Sequence, residues 1–469
     1  MHSSKLINLL SCFSKKEIKS FKSFLISPYH NTNNELVLFF DYIKQSYPGF
    51  TSTKLTKKET FKYLYPENIY KDKHIRYLMS DLLKLVNRFL LVQRIESKGI
   101  EGPLQLMDEF INRKKDKPYQ QIKTQLKLNY LKNKVKNVDY FFNKIKIIDL
   151  EVKYSLQHQN RMNDDKAQQG SDVLNRYYSL KKLKYACSML NRQTLLKESY
   201  NLSIPENWIS WLESNHYWNE KIIELYTNVF LVFKNPNDPI YFERFLDLLQ
   251  NATTNISQED LRELFLYAIN YCLRKMREGK KIYVEKALSL YREGIKTEAL
   301  LENGRFSPQS FNNVVKIALR LQKYNWIERF IEEYSHFLPP ASKENTLRYN
   351  LAELNCYKKD FNRALRLLSK VEFVDISYQL GSRIMLSKIY FELKEEAALL
   401  SLISSFMMFL KRNRQISDPI RKTCLNFCDL LFLIIRGKTD DIEDKIKNTP
   451  LLADRNWLLE KVAQARSEL

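Results

Sequence analysis

Small residues recur at a fixed interval in the second half of this chain, and that interval restricts the fold more than any other feature of the sequence. Ala318 and Ala352 are 34 residues apart, and Ala364 and Ala398 are again 34 apart. Trp326 and Phe361 are 35 apart, each directly after a short polar residue, Asn325 and Asp360; Glu395 stands at the third such place. A period of this length is one helix-turn-helix unit. Each unit buries too little apolar surface alone, so successive units stack and share a core, with the alanines where helix backbones approach closest. With the middle unit as reference, Leu351, Ala352, Phe361, Ala364, Leu368 and Val371 are the positions expected to be packed. Arg329 takes the place corresponding to Ala364, so the first unit is degenerate.

This spacing resembles the tetratricopeptide repeat over residues 310–410, without that pattern's usual glycine and closing proline. A wider resemblance rests on Ser27-Pro28-Tyr29, Phe61-x-x-Leu64-Tyr65-Pro66, Met79 to Leu85, Leu300 to Gly304 and Phe330 to Tyr334. Together they are similar to a whole-chain family of uncharacterised tetratricopeptide-like proteins associated with Bacteroidota. The resemblance implies a helical repeat fold and a bacterial cytoplasmic setting, and no activity.

The composition agrees with an all-α chain. Of 469 residues only 9 are Gly and 13 Pro, and the one Asn-Gly pair, Asn303-Gly304, sits between helical segments, so no hairpin is expected. The fold class is therefore an α-solenoid of antiparallel helix pairs with a helical N-terminal head. Three divisions follow: a head over 1–98, a body of degenerate helix pairs over 104–300, and the repeats with a C-terminal cap over 301–469, with Gly99 to Pro103 as a link. In the head, Ser14 and Glu17 read as a capping box. Helices are predicted over Asn34–Tyr47, Thr56–Tyr65 and Asp72–Glu96; the last carries so wide an apolar face that it should be buried on most sides. Lysine-rich helices are expected over Tyr119–Val135, Tyr140–Gln159 and Asp172–Tyr200, with a polar break at Asn163-Asp164-Asp165. The closing helices are Ser417–Arg436, Asp440–Lys447 and Asp454–Arg466.

The net charge of +22 is lopsided: residues 1–200 hold 37 Lys and Arg against 19 Asp and Glu, the rest 39 against 35. Such a half permits an anionic partner. Yet Asp139, Asp149 and Glu151 interrupt Lys123, Lys127, Lys132, Lys134, Lys136, Lys144 and Lys146, as on a solvated helix surface. Nucleic-acid contact is expected to be weak and sequence-independent.

Nothing in the sequence points to chemistry. The six histidines stand apart, the glycines never cluster into a phosphate loop, and carboxylate pairs such as Glu332-Glu333 fall at polar helix edges. Cys424 and Cys428, one turn apart, read as buried structural thiols, since no second pair completes a metal set. Catalytic residues, metal and cofactor are each none, and no small-molecule substrate is evident. Leu9-Leu10-Ser11-Cys12 is too short in apolar residues for a signal segment, which needs roughly 7–15. The apolar runs at Leu399–Leu410 and Leu430–Ile435 fall short of the about 20 residues that span a bilayer. A cytoplasmic protein without membrane contact is expected. A helix-turn-helix over Thr56–Glu96 is disfavoured by its long turn and apolar second helix. The function expected is a non-enzymatic scaffold that binds a protein or peptide on its concave face, lined by Asn312, Tyr349, Glu353, Arg383 and Tyr390. The alternative is an electrostatic nucleic-acid binder using the basic half.

Overall fold

The computed structural model describes residues 1–96, 99–158, 165–195, 199–205, 207–251, 255–372, 376–437 and 441–467. Asn163, Asp164 and Asp440 of the sequence reading lie outside them. The described chain is helical almost throughout, as its composition requires. It gathers into two compact units, one of residues 1–134 and 139–175, the other of 135–138 and 176–469.

The first unit begins with five helices: α1 (Lys5–Leu10), α2 (Lys15–Ile26), α3 (Asn34–Lys44), α4 (Lys57–Leu64) and α5 (Asp72–Glu96). Ser14 caps α2 in the expected capping box, its hydroxyl taking the Glu17 amide while the Glu17 carboxylate takes the Ser14 amide. The first four helices pack on α5, which buries Ile75, Leu78, Leu82, Val86 and Phe89. Phe21 joins them, edge-on to Phe40 at 5.0 Å and 5.2 Å from Phe89. Beside that face Met79, Leu83 and Leu90 are only half-covered, and Tyr77 and Leu91 are exposed, so α5 is buried along one face rather than on most sides. Its partners reach it from one side only.

The expected link at Gly99 to Pro103 is the entry to a helix. Gly102 and Pro103 lie in the first turn of α6 (Glu101–Asn112), where a missing backbone N–H costs nothing. A Cβ at Gly102 would come 2.7 Å from the Ile95 carbonyl oxygen, so the glycine serves a close approach of α6 to the end of α5. α7 (Asp116–Lys132) and α8 (Val138–Gln157) complete a second core of Leu104, Met107, Ile111, Tyr119, Leu126 and Ile147. Tyr119 stacks on Tyr154 at 3.9 Å. Beside it the carboxylate of Glu151, 5% exposed, draws Lys123 and Lys127 to 3.3 Å and Lys166 to 3.4 Å. Three of the basic half's lysines are thus gathered around one acid. Lys166 opens α9 (Lys166–Leu195), which contributes its first residues to this unit and the rest to the other.

In the second unit, helices pack as sequence neighbours: α11 (Lys221–Lys234) on α12 (Pro239–Gln250), α13 (Gln258–Arg277) on α14 (Ile282–Lys296), and α15 (Pro308–Arg320) on α16 (Tyr324–Tyr334). α17 (Pro340–Tyr357) follows on α18 (Phe361–Leu368), then α19 (Ile376–Glu392) on α20 (Glu396–Arg412). α15 also packs on α17 and α17 on α19; α21 (Asp418–Ile435), α22 (Ile442–Asn448) and α23 (Arg455–Ser467) close the unit, with α10 (Trp208–Ser214) near its start. Ala318, Ala352 and Ala364 are fully buried, and Ala364 lies in a core with Tyr349, Leu368 and Ile389. Arg329 is exposed.

Two buried polar networks cross helices here. Lys184 on α9 meets Asp260 at 2.7 Å and Glu263 at 3.3 Å, and the Tyr226 hydroxyl lies within hydrogen-bond distance of both carboxylates, at 2.9 and 2.7 Å. Farther along, Asn312 on α15 donates to the Tyr378 hydroxyl at 3.3 Å and accepts from Asn350 at 2.6 Å; Thr346 lies 3.1 Å from the same hydroxyl. The expectation about Asn303-Gly304 is overturned. Leu301–Glu302 pairs with Arg305–Phe306 as a small antiparallel hairpin, β1 and β2. Asn303 and Gly304 turn it with φ of 51° and 70°, the left-handed pair that a two-residue hairpin turn demands.

Candidate functional site

The five residues expected to line a binding face fall on α15, α17 and α19, but in different surroundings. Asn312 is buried in the polar network just described. Tyr349 is 3% exposed, its ring edge-on to Tyr378 at 5.0 Å. A Cβ at Gly381 would sit on the Tyr349 hydroxyl, so glycine there is what lets α19 close over the ring. Glu353 is half-buried one turn beyond Tyr349. These three gather around one neighbourhood. Arg383 instead lies over the Phe409 ring at 4.3 Å on α20, and Tyr390 packs against the C-terminal core.

Around Glu353 the structure assembles a wider charged cluster that the sequence reading did not name. On α15, Lys316 and Arg320 are exposed one turn apart; on α17, Glu353 and Tyr357 follow Tyr349 at the same step. On α19, Lys388 and Glu392 repeat it. Asp454, before α23, pairs with Lys388 at 2.9 Å, and Lys461 pairs with Glu392 at 2.6 Å. Trp457 donates its indole N–H to Glu392 at 3.0 Å and lies under both ammonium groups, 5.7 Å from Lys388 and 5.9 Å from Lys461. A signal for this stripe existed. Lys316 and Arg320 on α15, and Lys388 and Glu392 on α19, stand four apart, whereas the repeat positions single out one residue of α15 and two each of α17 and α19, of which only Glu353 belongs to this cluster.

The electrostatics follow from who is enclosed. Lys316 is held protonated, chiefly by Glu353 and with help from Tyr349. The carboxyl of Glu353 is nonetheless pushed up, because burial outweighs the pull of Lys316 and Lys388. Both directions hold together: Lys316 keeps access to solvent, whereas Oε2 of Glu353 is buried without a hydrogen-bond partner among the described residues. Burial opposes the Lys388 ammonium too, and Asp454 more than restores it. Burial pushes the nearby Cys356 thiol up to about 12, which keeps it protonated and unreactive at neutral pH. No carboxylate lies within ion-pair distance of Lys316 or Arg320 among the described residues. What the cluster offers is two open cations, an enclosed carboxylate and aromatic faces.

Cys424 and Cys428 are buried on α21, and no group of three or more potential metal ligands occurs among the described residues. No described helix is long and apolar enough to cross a membrane. No family model, no curated protein and no solved structure matches the chain.

Proposed function

We propose that this chain is a non-enzymatic interaction scaffold whose helix pairs stack as a tetratricopeptide-like solenoid, and that the face built by α15, α17 and α19 takes a peptide or helix of another protein. The single observation that supports this most is the charged stripe itself. Lys316, Arg320, Glu353, Tyr357, Lys388 and Glu392 repeat at four-residue steps on successive first helices of the pairs, where a closed core would be apolar. Lys316 and Arg320, exposed and with no carboxylate within ion-pair distance among the described residues, favour an acidic segment, and Tyr357 with Trp457 supplies the aromatic anchors common at interfaces.

A displayed library of random peptides, panned against the whole chain, tests the reading without knowing the partner. Enriched peptides should carry carboxylates and should lose binding to Lys316→Gln with Arg320→Gln, two exposed changes that set no new carboxylate beside Glu353. Peptides indifferent to the double variant, or no enrichment at all, would refute it.

A further inference from the structure

Away from that face, α14 and α16 flank a cleft of about 620 Å³. Its volume falls in the range of small-molecule sites, roughly 300–1,000 Å³. Arg292 and Lys296 enter it from α14, one turn apart, and Arg329 from α16. All three are exposed, and none has a carboxylate within ion-pair distance among the described residues. Elsewhere in this unit comparable cations are paired, as Arg262 with Glu302 at 2.7 Å and Lys358 with Glu328 at 2.6 Å. With Glu293 and Glu333 also on its wall, the cleft keeps one more cation than carboxylates, a surplus that favours an anion.

The second half of the site is aromatic. Trp326 lines the cleft, half-buried and stacked on Phe330 at 5.2 Å and 17°, and Phe330 stacks on Tyr334 at 5.3 Å. Glu293 and Glu333 also line it and offer acceptors to sugar hydroxyls or an exocyclic amine. We infer that this cleft binds a mononucleotide, its phosphates on Arg292, Lys296 and Arg329 and its base against Trp326. Arginine and lysine supply the charge-assisted contacts to phosphate, and the indole supplies a stacking face that any base satisfies. This site is separate from the proposed peptide face and does not depend on it.

Calorimetric titration of the whole chain with ATP, ADP, adenosine and inorganic pyrophosphate tests it. ATP and ADP should bind at least tenfold more tightly than adenosine or pyrophosphate, because only they engage both halves. Arg292→Gln and Arg329→Gln should each weaken ATP about tenfold, the scale of one charge-assisted contact. Trp326→Phe, which keeps an aromatic against Phe330, should weaken adenosine and ATP alike and leave pyrophosphate unchanged. Pyrophosphate binding as tightly as ATP would overturn the stacking half, and ATP affinity unmoved in Arg292→Gln with Arg329→Gln would overturn the site. Lack of heat with ATP or ADP at about 1 mM, where even a weak specific site is half-filled, would do the same. Circular dichroism should show the variants as helical as the parent.

Discussion

Gly381→Ala should change sign with its background. In the helix interior of α19, alanine for glycine gains about 1 kcal/mol of propensity. The added Cβ, however, lands on the Tyr349 hydroxyl, and Tyr349 is too enclosed by Tyr378 and Ile389 to swing aside. Forcing a methyl into a packed core costs about 1–3 kcal/mol, so the net effect is a loss of about 1 kcal/mol. Tyr349→Phe removes the obstructing oxygen and leaves the ring carbon at 3.2 Å, tight but within reach of a small shift. In that background the propensity gain prevails. The two substitutions should thus couple by about 1.5–2 kcal/mol, within the range for residues in contact. Because the chain forms two units and need not unfold in one step, the readout is local: amide hydrogen exchange of α17 and α19. Gly381→Ala should speed exchange there several-fold in the parent chain and slow it in Tyr349→Phe, as a tenfold change corresponds to about 1.4 kcal/mol. The same direction of change in both backgrounds would show that Tyr349 does not sit where α19 crosses it.

Three further outcomes follow from the same packing. Ala364→Glu puts a carboxylate into a site with no exposed surface and should cost several kcal/mol, lowering the melting temperature followed by circular dichroism; an unchanged melt would take Ala364 out of the core. Burial pushes the Cys424 thiol up to about 11 and that of Cys428 up to about 12. Both states are protonated below the unfolded thiol value near 8.5, and above it only the unfolded chain ionises, so stability should fall as pH climbs from about 9 toward 12. Cys424→Ala with Cys428→Ala should decline less steeply than the parent, and equal slopes would refute the assignment. Oligonucleotide binding, read by fluorescence anisotropy, should be weak and vanish by about 0.15 M salt. Glu151→Gln, which frees Lys123 and Lys127 of their shared acid, should strengthen it at low salt; tight binding that survives in the parent would make nucleic acid the leading partner.

The sequence was most legible where one local signal decided the structure. The capping box at Ser14 and the bounds of α5 stand as the residues indicate, since caps and periodicity act within a few turns. Helix starts came out late where polar residues lead the helix: α7 begins at Asp116 and takes Pro118 into its first turn, and α9 begins at Lys166. Asn303-Gly304 was passed over because two residues per strand leave no alternation to read. Of the candidate face, the shared neighbourhood of Asn312, Tyr349 and Glu353 could be aligned, but not that Gly381 would let Tyr349 sink into the core. The pairing of Lys388 with Asp454, or of Glu392 with Lys461, joins residues more than 60 apart and leaves no trace in local pattern.

The hydrogen bonds that tie Asn312, Thr346, Asn350 and Tyr378 together join three helices at one depth. Apolar surfaces can slide past one another by a turn and remain apolar, but donors and acceptors match at one offset only. These four positions therefore act as a lock on register. Over generations they can change only as a set, because any single loss strands a buried amide or hydroxyl, while the leucines and isoleucines around them remain free to drift.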